Sequence, residues 1–366
     1  MSDVEHMVRI PIDERALKEL ESLLTSADVF TTTFQHLGPA IFLAETYIWE
    51  SLNHGTKCVF MVDRNLFTRL LSLGRGERAT HAHQVAAAVL AFAQTTESLI
   101  EPNMALYELA ATADTRTARM ELVEFRRLDN SHPQLFADVA VGRRDSIDLI
   151  YLSGYPVAEA PDIDFTKPLR RWRANYTAAL KIATLELSPV PAERKMAEFI
   201  SWMQNEFLFI GPAVCLANRY LAPNGPKKRL FKSLRSTNRD RALKGIRNAA
   251  WDMAFVSEWS YKIGTQCESD KLWILASLDR GLHEVARAFV LPAGSVKSVD
   301  ASIRDEFVTL WGAYKGDCLV NLYQECLRNR ESGASPMQSV TSEKARETIR
   351  NLEAQVLDGK QIEGQA

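Results

Sequence analysis

The chain has 366 residues, is 46% hydrophobic and 25% charged, and carries a net charge of -2. That composition is ordinary for a soluble globular protein with room for two or three domains, and it argues against a disordered or fibrous chain. With no global basic field, any nucleic-acid surface has to be a local patch. Five cysteines, Cys58, Cys215, Cys267, Cys318 and Cys326, are scattered without CxxC spacing. This points to a reducing compartment and away from a structural zinc site. The first residues, MSDVEHMVRIPIDE, lack an apolar segment of signal-peptide type. No stretch approaches the ~20 apolar residues of a membrane helix. A cytoplasmic protein is expected.

Taken in chain order, residues 1–55 read as mainly helical, with Leu17, Leu20, Leu23 and Leu24 at helical spacing and a second run from Ile41 to Leu52 stopped by Gly55. Cys58–Val62 is a short continuous run of β-formers, as expected of a strand covered on both faces, and Asp63 ends it. Cys58 in that run is expected to be a core residue. A helix over Leu66–Leu73, an Ala-rich helix over His83–Thr95, a short strand in SLIEP and a helix over Met104–Ala113 follow. Strand alternating with helix is the pattern of a parallel sheet with crossover helices.

From about 115 to 225 strand signals become rare, and 116–129, 168–187 and 192–207 are helix-compatible. Pro223-Asn224-Gly225-Pro226 is a break. A long helix is expected over Arg239–Ile263, a second strand over Leu272–Leu278 ending at Asp279, a helix over Gly281–Ala288, and a last short strand in FVL (289–291). Residues 301–331 are again helical. After a Ser/Gly/Pro linker, a terminal amphipathic helix carries Ala345, Ile349, Leu352 and Val356 on one face.

Four acids stand out. Asp63 and Asp279 end strand-like runs, where open parallel sheets gather functional groups; each also suits a helix N-cap. Asp252 has Asn248, Phe255, Val256 and Trp259 as helical neighbours, and Glu108 has Met104, Ala105, Ala111 and Thr112. A carboxylate on such a stripe is ion-paired, hydrogen-bonded (as Asp252 could be by Asn248) or at a metal. Oxygen ligands alone would suit Mg²⁺ or Mn²⁺ rather than zinc. Glu101 and Asp270 are second-rank acids. His81 and His83 are expected to be plain surface residues, because no further ligand spacing completes a zinc motif. Phosphate-loop and serine-hydrolase motifs are absent.

Between Pro226 and Asn248 lie Lys227, Lys228, Arg229, Lys232, Arg235, Arg239, Arg241, Lys244 and Arg247 against one acid, Asp240. A cationic strip next to the helix carrying Asp252 is what phosphate tracking requires; a solvated loop and helix face is the alternative. Arg170-Arg171-Trp172-Arg173 is a second basic cluster with a stackable aromatic.

The segments DRN after an apolar strand, LIEPNMALYE, NAAWDM and the strand-end SLD resemble, in the same order, the motifs of PIN-like nucleases. The resemblance covers about 57–113 and 240–292. It implies a three-layer α/β/α sandwich with a parallel central sheet, here with a large helical insertion and helical termini. Four acids around Mg²⁺ or Mn²⁺ are implied: Asp63, Glu108, Asp252 and Asp279, supported by Asn65, Ser277 and Asn248. Metal-dependent cleavage of single-stranded nucleic acid, RNA before DNA, leaving a 5′-phosphate and a 3′-hydroxyl, is the implied activity.

The expected organisation is an N-terminal helical extension (1–55), a PIN-like core (56–114 and 240–295), a helical insertion (115–239) with the basic segment 227–247, a C-terminal helical region (296–331), and a linker with a terminal helix (332–366). That helix offers a face for a protein inhibitor or for a second copy of the chain. Two alternatives are a non-catalytic nucleic-acid-binding or protein-interaction module with the same fold, and a metal-dependent phosphatase of small nucleotides.

Overall fold

The computed structural model describes residues 10–33, 35–148, 151–152, 163–167, 169–225, 231–265, 270–290, 299–333 and 341–358. The chain divides into two compact units. The first is Met1–Lys167 with Lys262–His283, and the second is Pro168–Tyr261 with Glu284–Ala366.

The first unit carries a four-stranded sheet. In chain order its elements are α1 (Glu14–Ala27), β1 (Phe30–Thr31), α2 (Ala44–His54), β2 (Lys57–Val62), α3 (Arg64–Gly74), α4 (His81–Thr95), β3 (Leu99–Glu101), α5 (Asn103–Thr112), α6 (Thr115–Asp129), α7 (Pro133–Ala140) and, later, β4 (Lys271–Ala276). The strand order is β1-β4-β2-β3. β2 runs parallel to both neighbours, with Val62 opposite Ala276 and Met61 opposite Glu101. The two-residue β1 pairs antiparallel with β4. The sheet is therefore mixed, which corrects the expectation of a purely parallel one.

All of β2 beyond Lys57 is buried. That burial explains why the strand reads as an unbroken apolar run rather than an alternating one. Phe30, Phe60, Phe92 and Tyr47 form one aromatic cluster, with centroids 5.0 Å apart for Phe30–Phe60 and 5.1 Å for the edge-on Tyr47–Phe92 pair. Each such ring contributes about 1.5–3 kcal/mol by leaving water. The Ala-rich α4 is buried almost all round and packs against α1, α3 and α7. Gly55 ends α2 in the left-handed region, φ 64°, with its N–H on the Ser51 carbonyl.

The N-terminal residues are thus part of the sheet unit rather than an extension. The Leu17–Leu20–Leu24 stripe is buried, and β1 forms the sheet edge. Likewise α6 packs on α3 and α5, and α7 on α4. The expected insertion accordingly splits, with 115–167 in the first unit and 168–239 in the second.

Among its described residues the second unit has helices and turns but no strand: α8 (Arg170–Leu187), α9 (Ala192–Asn205), α10 (Gly211–Leu221), α11 (Arg239–Thr265, whose last turn counts with the first unit), α12 (Arg280–Arg287, shared likewise), α13 (Val299–Trp311), α14 (Ala313–Glu331) and α15 (Ser342–Asp358). The stretch expected as one helical run over 301–331 breaks at Gly312, φ 82°. Phe289 and Val290 lie in a turn, not in the strand expected for FVL, and Leu291 lies outside the described residues. A three-residue apolar run does not distinguish a strand from a helix end. Leu352 and Val356 of α15 are buried, and α15 packs on α8. Of the stripe expected to receive a partner, Leu352 and Val356 are therefore covered within the unit, while Ala345 and Ile349 stay partly exposed. No described helix is long and apolar enough to cross a membrane.

Candidate carboxylate site at the strand ends

β2 and β4 lie side by side and end together, so the residues after them meet. Asp63 follows β2 in an extended conformation and caps α3, its Oδ1 accepting the Leu66 amide at 2.7 Å. Its Oδ2 accepts the Ser277 hydroxyl at 2.5 Å. Ser277 is 1% exposed, and its Oγ also accepts the Asp279 amide at 2.9 Å. Asp279 in turn caps α12, with Oδ1 accepting the Gly281 amide at 2.8 Å. One hydroxyl thus ties the two strand-end aspartates together. Both aspartates also show the N-cap role that the sequence left open.

Asp63 is 8% exposed. Burial pushes its carboxyl up to about 6, against the Ser277 and Leu66 hydrogen bonds, and the nearby Asp279 adds to the rise. Glu108 projects from α5, and its carboxylate accepts no hydrogen bond from the described residues. Burial pushes it up to about 7; the neighbouring Arg64 opposes this and Asp63 reinforces it. The Arg64 guanidinium is held by Glu121 at 2.6 Å. Asp63, Glu108 and Asp279 thus share one electrostatic neighbourhood in the first unit. Asp252, half-buried on α11, belongs to the second. Asn65 is exposed on the first turn of α3, and Asn248 is exposed on α11.

The donor chemistry suits a hard divalent ion: oxygen ligands only, mutually repelling, with the Glu108 carboxylate accepting no hydrogen bond from the described residues. Against this, no three His, Cys, Asp or Glu side chains among the described residues are gathered closely enough to hold a metal ion.

No local pattern points to His283. It is 2% exposed, its Nε2 lies 2.9 Å from the Ser277 carbonyl and its Nδ1 lies 2.8 Å from the Thr31 hydroxyl. A carbonyl only accepts, so Nε2 carries the proton, and in the neutral ring Nδ1 receives the Thr31 O–H. A signal existed only in three dimensions, because Thr31 and His283 are 252 residues apart.

His83 is a correction. Expected at the surface, it is 4% exposed. Its Nδ1 accepts the Thr80 amide at 3.1 Å in a capping box, and its Nε2 meets the Ser72 hydroxyl at 2.7 Å. Burial, reinforced by Arg69, lowers its pKa. His81 is exposed, and Cys58 is buried as expected.

Three arginines of the basic segment are engaged within the second unit. Arg239 donates to the Val356 carbonyl from Nε at 2.9 Å and Nη2 at 2.6 Å, and from Nη1 to Leu234 and Ser236. Arg247 reaches Glu353 at 3.2 Å and the Tyr176 hydroxyl at 3.3 Å. Arg235 pairs with Glu186 at 2.9 Å. Lys232, Arg241 and Lys244 are exposed, and Lys227, Lys228 and Arg229 lie outside the described residues. In the second cluster Arg171 pairs with Glu258 at 2.8 Å, and Trp172 stacks on Tyr176 at 5.0 Å beside Trp251. Three of the arginines expected to track phosphate therefore also bind groups within the unit, Arg235 and Arg247 while staying exposed.

No family model, curated protein or solved structure matches the chain.

Proposed function

We propose that the chain is a metal-dependent nuclease acting on single-stranded nucleic acid, with Asp63, Glu108 and Asp279 as its reactive carboxylates. The observation that carries this reading is the meeting of Asp63 and Asp279, joined through Ser277, at the carboxyl ends of adjacent parallel strands, where such sheets place their chemistry. The resemblance of DRN, LIEPNMALYE, NAAWDM and SLD to PIN-like motifs supports it; Asp252, the fourth acid that the sequence singles out, lies in the second unit.

To hold Mg²⁺ or Mn²⁺, Asp63, Glu108 and Asp279 would have to draw closer together than they stand here; the ion, when bound, supplies an activated water and neutralises phosphate charge. The chain's own part is to keep these carboxylates poised. Ser277 fixes the Asp63 rotamer, the α3 and α12 caps fix the backbone under both aspartates, and the Arg64–Glu121 pair keeps a positive charge beside Glu108. Exposed Lys232, Arg241 and Lys244 remain for backbone contacts.

A second reading, a binding module without cleavage, is favoured by the cap roles of Asp63 and Asp279. The test is cleavage of end-labelled single-stranded RNA and DNA with Mn²⁺, Mg²⁺ or EDTA. Asp63→Asn keeps the cap and removes the charge, so it separates the readings. Under the nuclease reading wild type cuts, EDTA abolishes cutting, and Asp63→Asn and Glu108→Gln are folded but at least ~100-fold slower. Wild type that binds the oligonucleotide without cutting it selects the binding module.

A further inference from the structure

We infer that His283 is a positioning residue of the strand-end site, holding Ser277 so that its hydroxyl reaches Asp63 and Asp279 together. This rests on the reading of those carboxylates as the reactive groups.

Ser277 must present its hydroxyl in one direction to serve two partners at once, donating to Asp63 Oδ2 at 2.5 Å and accepting from the Asp279 amide at 2.9 Å. Its backbone is fixed from both sides. The Ser277 N–H donates to the Val29 carbonyl at 3.1 Å, next to β1, and the Ser277 carbonyl accepts His283 Nε2–H at 2.9 Å. The ring is locked in turn at its far nitrogen by the Thr31 hydroxyl on β1 at 2.8 Å. His283 also follows Asp279 by one helical turn, and its amide donates to the Asp279 carbonyl at 3.3 Å. The side chain thus folds back from α12 across the turn that carries Asp279 and fastens that turn to the sheet edge. A bulky apolar residue would fill the same space, yet it would leave the buried Ser277 carbonyl and Thr31 hydroxyl without this partner, which buried polar groups tolerate poorly. The site is therefore braced by a two-residue strand that pairs with the end of β4 and also holds the His283 ring. Its ring contacts run to the Ser277 carbonyl and the Thr31 hydroxyl, so its influence on the carboxylates runs through Ser277.

The test uses the full chain and three variants. His283→Gln places a side-chain N–H about where Nε2 stands, so it keeps the Ser277 contact. His283→Leu removes both contacts. Thr31→Val releases only the far end of the ring and guards against a His283→Leu protein that does not fold. Amide hydrogen exchange of residues 276–282 reads the hold directly. The Asp279 amide is expected to exchange about tenfold faster in His283→Leu, about threefold faster in Thr31→Val, and at the native rate in His283→Gln. In the oligonucleotide assay with Mn²⁺, His283→Leu is expected to lower kcat about tenfold at unchanged KM, with His283→Gln restoring it. Unchanged Asp279 exchange in both His283→Leu and Thr31→Val overturns the inference whatever the activity. The expected exchange pattern in a protein whose wild type never cleaves upholds the hold on Ser277 and overturns the nuclease reading instead.

Discussion

Removing the Ser277 hydroxyl is the most informative single change, because its cost should depend on pH in a direction that the site dictates. Ser277→Ala deletes a hydrogen bond to a buried carboxylate and the acceptor for the Asp279 amide. A bond to a charged group contributes about 1.5–3 kcal/mol and a neutral one about 1 kcal/mol, so the loss at pH 8 should be about 2–4 kcal/mol. Asp63 has a folded pKa of about 6, above the usual 3.8, so between those values the folded chain binds more protons than the unfolded one. Stability therefore falls as pH rises through that window. The Ser277 bond is one of the contacts holding the Asp63 pKa down. Without it the pKa climbs further and the fall continues beyond pH 6. The gap between variant and wild type should thus be about 1 kcal/mol near pH 5, where Asp63 is protonated in the fold, and widen to its full value by pH 8. Urea unfolding followed by far-UV circular dichroism at both pH values measures it, read from the transition of the sheet-containing unit. A gap that is equal at the two pH values, or that narrows towards pH 8, would refute the reasoning.

Asp129 ends α6, and burial pushes its carboxyl up to about 6 despite Arg126 at 3.5 Å. Like Asp63 it penalises the fold above that pH, so Asp129→Asn should gain about 1–2 kcal/mol at pH 8 and nothing near pH 4 in the same urea titration. Gly316 lies where α13 and α14 cross, and a Cβ there would stand 2.6 Å from the Val308 Cα and 2.8 Å from the Phe307 carbonyl oxygen. Gly316→Ala should cost about 2–4 kcal/mol by forcing two backbones apart. Gly264→Ala, with nothing within 4 Å, should be neutral or stabilising by up to about 1 kcal/mol, and thermal unfolding compares the two. Arg239→Ala should destabilise the second unit by about 1.5–3 kcal/mol and raise hydrogen exchange in α15, whereas a phosphate contact would leave stability alone and flatten the salt dependence of oligonucleotide binding.

The parts of this architecture that were legible in the sequence are those whose signal is local. β2 and β4 could be read because a strand buried on both faces is a continuous apolar run, and α3, α4 and α6 because their apolar positions repeat at helical spacing. Asp63, Ser277 and Asp279 could be picked out as strand-end residues for the same reason. β1 could not, since two residues have no periodicity; it exists because β4 offers an edge. The short α7 and the α10 helix were missed, each opening with a proline-containing turn that reads as loop. His83 was misplaced because a histidine in the first turn of a helix looks solvated until the Ser72 hydroxyl and the Thr80 amide close around it. The charge run 227–247 was visible, but its meaning was not. Whether an arginine faces solvent or a helix terminus depends on where α15, more than a hundred residues later, comes to rest.

The cap roles of Asp63 and Asp279 do not by themselves make the site structural, because the chain contains its own controls. Asp13 caps α1, and Arg143 together with the Ala16 amide lowers its carboxyl to about 2. Asp114 caps α6, and its bonds to the Thr117 amide and hydroxyl lower it as well. These are carboxylates placed where the anion is welcome. Asp63 makes the same kind of cap and accepts a hydroxyl besides, yet its carboxyl is pushed up to about 6 because it is buried beside a second aspartate. A serine or threonine would cap α3 without that ionisation cost. Glu108 caps nothing, accepts no hydrogen bond from the described residues, and is pushed up to about 7 a short distance away. Two carboxylates that the fold destabilises, Asp63 at a strand end and Glu108 within range of its charge, are what the proposed site requires. A fold selected for stability alone has cheaper residues for both positions.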